Sequence, residues 1–529
     1  MTLGRGASFM LVAIVVVASG SGVAAPTTPL RNDSFFIAAF DIAGVKLLKQ
    51  LEIEEAVYPF LGPNRTRSDI DHAVEALQKV YQARGYQTVV VDFPAQAVSE
   101  SGENIVRLTV AETPVGRLRV TGARYYSPDT IRRATPAIRE GQTPNITLAT
   151  QEITELNRLP GRRVEPLVHA GKAPGTVDVD LKVSDSGPWH ASVELTNDHN
   201  QNTDPLRITS TVRYDNLWQL GHSASFTYAV APTNRDQSEI FAGSYLAPIW
   251  NTPFSLLAFG YRSNSNVATL GGTSVLGKGY AIGGRAILQL PHMADVSQSV
   301  SFGLDFKNFD EAINFSNTVS TDAIQYFPLN IVYNVQRDGQ KFSTKLSVGL
   351  TAGLRGLGSN TAAFENKRAD ARPNFIHVNV DLTQSETLWK GFEASQRLSG
   401  QFADQPLISS EQFSSGGLTS VRGYLQSEAV SDEGLSGELE IGTPTLAPRI
   451  ARVFDDLRLF AFADGGALWV LQPQHSQTQF FAQSSAGVGL RVELLRHIKG
   501  EVALAVPLIS GPATHAYRRR ATFSLKSDF

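Results

Sequence analysis

Apolar and polar residues alternate through the C-terminal part of the chain, in segments bounded by turn residues. Examples are HASVELTND, SASFTYAVA and SAGVGLRVEL. One such segment is a weak sign of a β-strand. Repetition over residues 189–529 is typical of a transmembrane β-barrel, because only helices and closed barrels satisfy their backbone polar groups in lipid. At about 20 residues per strand and connection, the region predicts about sixteen antiparallel strands. A soluble β-sandwich or propeller is the alternative, although no blade-length repeat is evident.

The final segment, ATFSLKSDF, is the clearest single example of this alternation. One face carries Ala521, Phe523, Leu525, Ser527 and Phe529. The other face carries Thr522, Ser524, Lys526 and Asp528. Because successive strand residues point to opposite faces, we expect the first set to face lipid and the second set to face the barrel lumen.

The N-terminal part of the chain has a different texture, with helical and strand patterns in turn. Residues 35–113 and 114–187 each show a strand, helices and two further strands. The stretch SDIDHAVEALQKVYQARGY has apolar residues at helical spacing, and Ser68 or Asp69 is the expected N-cap of that helix. The repeated order predicts two small α/β domains before the barrel.

The first residues have the pattern of a secretory signal peptide. Arg5 supplies the positive charge, residues 9–18 are apolar, and Val23-Ala24-Ala25 is a small-residue cleavage site. We therefore expect residues 1–25 to be removed and the mature chain to begin near Pro26. A membrane anchor is the alternative, but the apolar run is shorter than the ~20 residues that a spanning helix needs.

Composition excludes several classes of protein and site. The 47 basic and 50 acidic residues balance, which argues against a nucleic-acid-binding protein. The sequence has no cysteine, so disulfides and thiolate sites are excluded. The ten histidines are scattered without a metal-binding spacing. With no placed nucleophile and base, we predict a protein without catalytic residues, metal or cofactor.

One arginine stands out in the predicted barrel, within the sequence GGLTSVRGY at residues 416–424. This stretch lies in a long predicted connection between two strands, at about residues 405–433. Gly416 and Gly417 allow backbone conformations closed to other residues, which suits a loop that folds back tightly.

A later strand supplies a candidate partner for Arg422. In LFAFADGGALW, Phe462, Asp464 and Gly466 are each two residues apart and share one face. A charged aspartate is unsuited to lipid, so this face is expected to line the lumen. A guanidinium matches a carboxylate with two parallel hydrogen bonds, which makes an Arg422–Asp464 pair the sharper hypothesis. Spacing alone favours the simpler interpretation, in which Arg422 is a solvated loop residue and Asp464 an ordinary polar residue of the lumen.

The two motifs together resemble the paired signatures of the two-partner secretion transporters, within the superfamily that combines polypeptide-transport-associated (POTRA) domains with a barrel. The stretch LNRLPGRRVEPLVHAGKAPGTVDVDLKV also resembles the end of the second POTRA domain in that family. Val421, Arg422, Gly423 and Tyr424 match the family's loop motif directly. The resemblance implies that the loop folds inward and that Arg422 pairs with Asp464.

The resemblance also implies a function and partners. Such proteins lie in the outer membrane, among its lipids, with POTRA domains in the periplasm that bind the N-terminal secretion domain of one large exoprotein. An adhesin or haemolysin is the expected type of exoprotein, and a monomer the expected state. Phe523, Leu525 and Phe529 are the expected C-terminal signal for the barrel-assembly machinery. A client segment is expected to add as a strand to an exposed POTRA sheet edge.

Two departures from the family pattern and two rival functions remain open. About ten residues separate the expected cleavage site from Phe35, which argues against the plug helix that some members carry. Where the family often has Gly-Asp-x-Gly after the loop, this chain has Ser431-Asp432-Glu433-Gly434. A barrel-assembly insertase of the same superfamily is the first rival, although such proteins usually carry more POTRA domains. A passive outer-membrane channel is the second.

Overall fold

The computed structural model describes residues 34–97, 103–157, 161–201, 203–250, 252–264, 267–270, 273–276, 278–291, 293, 295–310, 313–315, 318–320, 323–447, 453–475 and 477–529. The predicted signal peptide and the question of a plug helix lie outside the described residues. The chain divides into two compact units, one up to Gly187 and one from Pro188.

The first unit begins with a four-stranded sheet in the order β2-β1-β4-β3. Its two central strands, β1 and β4, are parallel and carry the most deeply buried residues, which pack against α2. The helix presents its apolar face to this sheet, with Ile70, Leu77 and Tyr81 fully buried. The elements are β1 (Phe35–Ala43), α1 (Gln50–Val57), β2 (Gly62–Arg65), α2 (Arg67–Ala83), β3 (Val90–Asp92) and β4 (Glu103–Ala111).

The N-terminus of α2 lies slightly earlier than the sequence pattern predicts. Thr66 is the N-cap, and Asp69 occupies the third helical position, where its carboxylate accepts a hydrogen bond from the Thr66 backbone N–H at 2.7 Å. The prediction of Ser68 or Asp69 as the cap was therefore wrong. A reciprocal capping box satisfies two helix-end donors at once, which a later cap would leave open.

The second half of this unit is a three-stranded sheet in the order β5-β7-β6, with α3 and α4 packed on one face. β5 and β7 are parallel, whereas β7 and β6 are antiparallel. The elements are β5 (Val115–Thr121), α3 (Pro128–Arg133), α4 (Ile146–Leu156), β6 (Arg162–Ala170) and β7 (Val177–Asp185).

Asn145 joins the two halves of this unit. Its side-chain oxygen accepts from the Leu148 backbone N–H at 3.0 Å and so caps α4. Its side-chain amide donates to the Arg84 carbonyl at 2.8 Å, just beyond the end of α2. The next residue, Ile146, donates its backbone N–H to the Gly85 carbonyl at 2.8 Å. These bonds fix α4 in the second half of the unit against the loop that follows α2 in the first half.

The second unit is a closed antiparallel barrel of sixteen strands, so the predicted fold class is confirmed. The elements in chain order are β8 (Trp189–Thr196), β9 (Arg207–Leu217), β10 (His222–Val230), β11 (Glu239–Pro248), β12 (Phe254–Ser263), β13 (Val267–Leu270), β14 (Thr273–Leu276), β15 (Lys278–Gln289), β16 (Val296–Asp310), β17 (Ile313–Phe315), β18 (Thr318–Ser320), β19 (Ala323–Asp338), β20 (Phe342–Gly358), α5 (Thr361–Lys367), β21 (Ile376–Thr387), β22 (Glu393–Ala403), β23 (Phe413–Ser415), β24 (Ala429–Ser431), β25 (Glu433–Gly442), β26 (Phe454–Trp469), β27 (Phe480–Leu494), β28 (Ile498–Pro507) and β29 (Arg520–Asp528). The hairpins β13–β14, β17–β18 and β23–β24 are separate two-stranded sheets that are not part of the barrel wall.

The outer surface of the barrel is apolar and has aromatic residues at one rim. Exposed leucine, isoleucine, valine and phenylalanine side chains alternate with inward residues along the strands. Trp189, Trp218, Trp250 and Trp389 lie at the end of the barrel where the chain enters, and each is more than half exposed. Such a ring is characteristic of strands that meet a membrane interface. No described helix is long and apolar enough to cross a membrane.

The barrel closes where β29 pairs with β8, the shortest strand of its wall. The Asn197 side chain continues this pairing beyond the end of β8. Its amide donates to the Ala521 carbonyl at 3.0 Å, and its oxygen accepts from the Phe523 backbone N–H at 2.8 Å. At the other end, the backbone groups of Phe529 and Ala191 exchange hydrogen bonds. A side-chain amide here replaces a missing peptide of the ladder.

We expect Asn145→Ala to lower the free energy of unfolding of the N-terminal unit by about 1–2 kcal/mol, because it removes the cap of α4 and a hydrogen bond to the end of α2 in the other half of the unit. Urea denaturation of a purified fragment ending at Gly187 measures this. Thr150→Ala, on the exposed side of the same helix, is the control and is expected to change the value by less than about 0.5 kcal/mol. Equal stability of the Asn145 variant and the control would contradict the assignment.

Candidate functional site

The connection between β22 and β25, residues 404–432, folds back on itself into the barrel and is called the inward loop below. Within it, β23 and β24 pair as a short antiparallel hairpin. Gly416 and Gly417 follow β23 with φ angles of 111° and 103°. A Cβ on Gly416 would lie 2.4 Å from the Leu425 carbonyl oxygen. Both the backbone angle and the lack of space require glycine at this reversal.

Beyond this reversal, Arg422 meets Asp464 on the barrel wall. Arg422 Nε lies 2.8 Å from Asp464 Oδ2, and Nη2 lies 2.8 Å from Oδ1, which is the two-bond arrangement. The Arg422 backbone N–H donates to Asp464 Oδ2 at 3.0 Å. Arg422 Nη1 donates to Glu440 Oε2 on β25 at 2.9 Å. Arg422 and Asp464 are only 3% and 4% exposed, so the pair is shielded from solvent.

The residues of β26 on either side of Asp464 form the site on the wall that Arg422 occupies. The Arg422 guanidinium lies 3.6 Å from the centroid of the Phe462 ring, within the range of a cation–π interaction. Gly487 on β27 makes room for that ring, since a Cβ there would lie 2.4 Å from it. A Cβ on Gly466 would lie 3.3 Å from the Val421 side chain. In the F-x-D-x-G motif, Phe462 therefore stacks on the guanidinium, and Asp464 binds it through two hydrogen bonds. Gly466 leaves space for the side chains of the loop.

A chain of alternating charges extends from this pair along the lumen. Glu440 Oε1 accepts from Arg491 Nη1 at 3.0 Å, and Arg491 Nε donates to Glu501 Oε2 at 2.9 Å. Burial alone would lower the pKa of Arg422, but its bonds to Asp464 and Glu440 raise it above the ordinary value. The guanidinium is therefore always charged, and the loop is held by charge-assisted bonds.

The two residues after Arg422 fix the loop against the last strands. Gly423 has a φ of 97°, and a Cβ there would lie 3.1 Å from the Ala505 side chain. Tyr424 is fully buried. Its hydroxyl donates to the Ile509 carbonyl at 2.6 Å and accepts from the Ser484 backbone N–H at 3.1 Å. The ring therefore spans from the inward loop to β27 and to the connection after β28.

The connection after β8 contacts the other side of the loop. Asp198 Oδ2 accepts from the Leu418 backbone N–H at 3.1 Å, and the His199 carbonyl accepts from the Gln426 backbone N–H at 2.9 Å. A Cβ on Gly417 would lie 2.9 Å from Asp198 Oδ2. Burial raises the pKa of Asp198 to about 6, against the opposing effect of the bond from Leu418.

The base of the loop depends on Asp432, in the stretch that departs from the family pattern. This fully buried carboxylate accepts from the backbone N–H groups of Leu407 and Leu471, both at 2.8 Å. It also accepts from the Gln412 side chain at 2.9 Å. One carboxylate thus joins the start of the loop, its end and the next connection.

The predicted C-terminal residues lie apart from this site. Leu525 and Phe529 are 47% and 74% exposed on the outside of the barrel. Phe523 is half-buried on the same face of β29 and donates its backbone N–H to Asn197. The structure therefore places the motif residues of the loop and of β26 together, and it places these three at the closing strand.

Sequence reasoning missed Glu440, Gly487, Asp198 and Asp432. The sequence did carry a signal for Glu440. Glu438 and Glu440 are two residues apart on a barrel strand, so they share one face, and their charges require that face to line the lumen. For Asp432 the resemblance offered a signal, because the aspartate of Gly-Asp-x-Gly is retained in Ser431-Asp432-Glu433-Gly434. For Gly487 and Asp198 no local pattern was available, since each acts through a contact with a distant part of the chain. Among the described residues, no group of histidine, aspartate or glutamate side chains is arranged to hold a metal ion.

Comparison with known proteins agrees with this architecture. Residues 175–492 match the family described as haemolysin secretion/activation protein ShlB/FhaC/HecB, and residues 35–113 match the ShlB-type POTRA domain. The chain is 21% identical over 399 residues to the heme/hemopexin transporter protein HuxB of Haemophilus influenzae, covering 72% of this chain and 67% of that one. It is 23% identical over 492 residues to the outer membrane transporter CdiB of Dickeya dadantii, covering 88% and 81%.

The solved structure of CdiB from Escherichia coli has the same fold, with a TM-score of 0.65, 18% identity, and coverage of 96% of this chain and 93% of that one. The barrel therefore lies in the outer membrane, and the first unit lies in the periplasm, where the POTRA domains of this family are found. The matched residues make up more than half of the chain. The chain belongs to the haemolysin secretion/activation protein family ShlB/FhaC/HecB, the two-partner secretion transporters of the outer membrane.

Proposed function

We propose that this transporter carries its partner exoprotein through the barrel, along the space that the inward loop fills, and that the Arg422–Asp464 pair holds the loop in place between transport events. The observation that carries the proposal is the buried two-bond contact between loop and wall. A loop held by side-chain bonds can be displaced without breaking the barrel ladder. The client takes its place while the wall remains closed.

Capture of the client takes place on the sheet edge formed by β6. Val164 exchanges backbone hydrogen bonds with the Asn157 side chain, so its peptide groups point away from β7. Because strand residues repeat every two positions, the peptide groups of Pro166 and Val168 point the same way. Leu167 and Val168 are also 54% and 39% exposed. This edge offers an added strand both backbone bonds and apolar contacts.

The other edges of the two sheets are shorter or covered. In the first sheet, the edge strands Gly62–Arg65 and Val90–Asp92 have only four and three residues. In the second sheet, the Val115 backbone pairs with the loop after α3, and Glu140 accepts from the Leu118 backbone N–H at 2.8 Å. We therefore favour β6 in the second domain as the docking edge.

The transporter acts without catalytic chemistry, and folding of the client outside the cell makes its retreat unfavourable. The protein works as a monomer among outer-membrane lipids. Its last strand, with Phe523, Leu525 and Phe529 outward, is the signal that the barrel-assembly machinery reads.

We expect Arg422→Ala to reduce export of the partner exoprotein at least tenfold while the barrel still assembles. The substitution leaves Asp464 buried without its partner, at a cost of about 3–5 kcal/mol, so the loop leaves its seat. Exoprotein in the culture medium is measured together with heat-modifiable migration of the transporter, which reports a folded barrel.

Arg518→Ala, on an exposed outer connection, is the matched control and should export normally. Asp464→Ala should reproduce the Arg422 defect, and the double variant should be no worse than either single one, since both remove one interaction. Wild-type export by the Arg422 variant at equal transporter levels would remove the pair from the mechanism.

We expect Val168→Pro to weaken binding of the exoprotein's secretion domain at least tenfold, because proline removes an outward N–H that the native sheet does not use. Binding to the purified periplasmic unit is measured by isothermal titration, and its melting temperature is recorded in parallel. Val168→Thr keeps the N–H and should bind as the wild type does. Undiminished binding by the proline variant would place client recognition elsewhere.

We expect Phe529→Ala to lower the heat-modifiable, folded fraction of the transporter in cells severalfold. The side chain is 74% exposed at the last residue, where assembly factors can reach it. Phe254→Ala removes another outward aromatic residue, 46% exposed at the start of β12, and serves as the control. An equal effect of both variants would show that general loss of aromatic surface, rather than the C-terminal signal, is responsible.

A further inference from the structure

A second buried charged cluster holds the inward loop near its beginning, on strands that the sequence motifs do not include. Glu411 Oε1 accepts from Lys307 Nζ on β16 and from the Tyr326 hydroxyl on β19, both at 2.6 Å. Glu411 Oε2 lies 3.1 Å from His377 Nε2 on β21. The Glu411 carbonyl accepts from the Gln401 side chain at 2.9 Å. One loop residue therefore contacts four strands of the wall.

An apolar cluster surrounds this contact at the outer ends of the strands. Leu407 and Ile408 of the loop are 1% exposed and pack into it. The other members come from barrel strands and from the connection that contains α5: Ala229, Ile240, Ala281, Phe309, Ile324, Tyr326, Phe364, Ala371 and Phe375. The start of the loop thereby fills the outer mouth of the lumen on this side with closely packed side chains.

The charges in this cluster depend on one another. Burial alone would raise the pKa of Glu411, but Lys307 and His377 lower it to about 2, so the carboxylate is ionised at neutral pH. Glu411 is 6% exposed, and Lys307 is half-buried. Removing or reversing either charge would leave the other in a poorly solvated site, which is far more unfavourable than losing a surface pair.

The two contacts of the loop have opposite polarity. Near its turn, a basic loop residue meets an acidic wall, through Arg422 with Asp464 and Glu440. Near its start, an acidic loop residue meets a basic wall, through Glu411 with Lys307 and His377. Glu411 would be repelled by the acidic part of the wall that binds Arg422, and Arg422 would be repelled by the basic part that binds Glu411. The arrangement therefore fixes the orientation of the loop as well as its position.

We propose that Glu411 is a positioning residue that, through Lys307, Tyr326 and His377, keeps the start of the inward loop in the outer mouth of the barrel and so keeps the lumen closed when no client is present. This inference rests on the proposed role of the loop in export. It differs from that role in assigning closure of the resting channel to a contact outside the recognised motifs.

The test is ion conductance of the purified full-length transporter in planar lipid bilayers, without any exoprotein. Glu411→Lys places a cation against Lys307 and is expected to raise the fraction of time in the open state at least tenfold. The swapped double variant, Glu411→Lys with Lys307→Glu, restores the pair and is expected to return within threefold of the wild type. Heat-modifiable migration confirms that each barrel is folded.

The control changes charge equally at another lumenal carboxylate. Asp381 on β21 is exposed and accepts a hydrogen bond from the Ser399 hydroxyl at 2.6 Å, and no hydrogen bond or ion pair among the described residues joins it to the loop. Asp381→Lys should leave the open fraction unchanged. If Glu411→Lys fails to fold, Glu411→Gln is measured instead, with a rise of at least threefold expected.

Two results would overturn the inference: a folded Glu411 variant that stays closed, or a swapped variant that stays as open as the single one. The export proposal is judged separately. Normal export by Arg422→Ala together with an open Glu411→Lys channel would refute the transport role of the Arg422 pair and leave the closing role of Glu411 standing.

Discussion

A guanidinium group inside a barrel must find a fixed partner, because a buried charge without one is strongly unfavourable. In this protein that requirement places Asp464 in the wall, and Asp464 in turn requires the surrounding geometry. Phe462 covers the guanidinium, and Gly487 leaves space for the Phe462 ring. Gly466 leaves space for the Ser415 and Val421 side chains of the loop. One charge pair therefore explains why glycines occur at particular positions of two strands.

The wall is stabilised by one kind of interaction and the position of the loop by another. This difference determines which of the two can be displaced. Wall strands share continuous backbone ladders, and opening one exposes a whole row of peptide groups in lipid. The loop is held by a few carboxylates: Asp464, Asp432, Asp198 and Glu411. Water or a polar client segment can replace each of these bonds in the lumen. In the proposed mechanism, the loop, and not a strand, is therefore the element that the client displaces.

Much of the architecture follows from local sequence. Period-two alternation predicts the barrel, and helical spacing predicts α2, because in each case one face is buried or meets lipid. Because Asp464 is charged, the face of β26 that it shares with Phe462 and Gly466 is predicted to line the lumen. Its contact with Arg422 rested on resemblance to a family, since spacing carries no distance between a loop and a strand.

What local sequence could not predict depends on contacts between distant segments. Glu411 is a single acidic residue in a polar stretch, and only the fold brings Lys307 and His377 to it. The start of α2 is a different case, because the reciprocal bond between Thr66 and Asp69 is local and its three-residue spacing is visible in the sequence. That bond makes Asp69 the third helical residue, so neither Ser68 nor Asp69 is the cap.

In the proposed capture of the client by the periplasmic unit, selectivity arises along the edge of a strand. Strand addition uses peptide groups that every polypeptide has, so an open edge would by itself bind any extended chain. The structure limits this edge to a short length of β6, where Asn157 occupies the groups of Val164 and Pro166 lacks a donor. Only a client whose side chains fit beside Leu167 and Val168 gains apolar contacts in addition to the few backbone bonds that remain. In the proposed docking, a short edge gives those side chains most of the selectivity, and it also lets the client leave for the barrel once its first segment has docked.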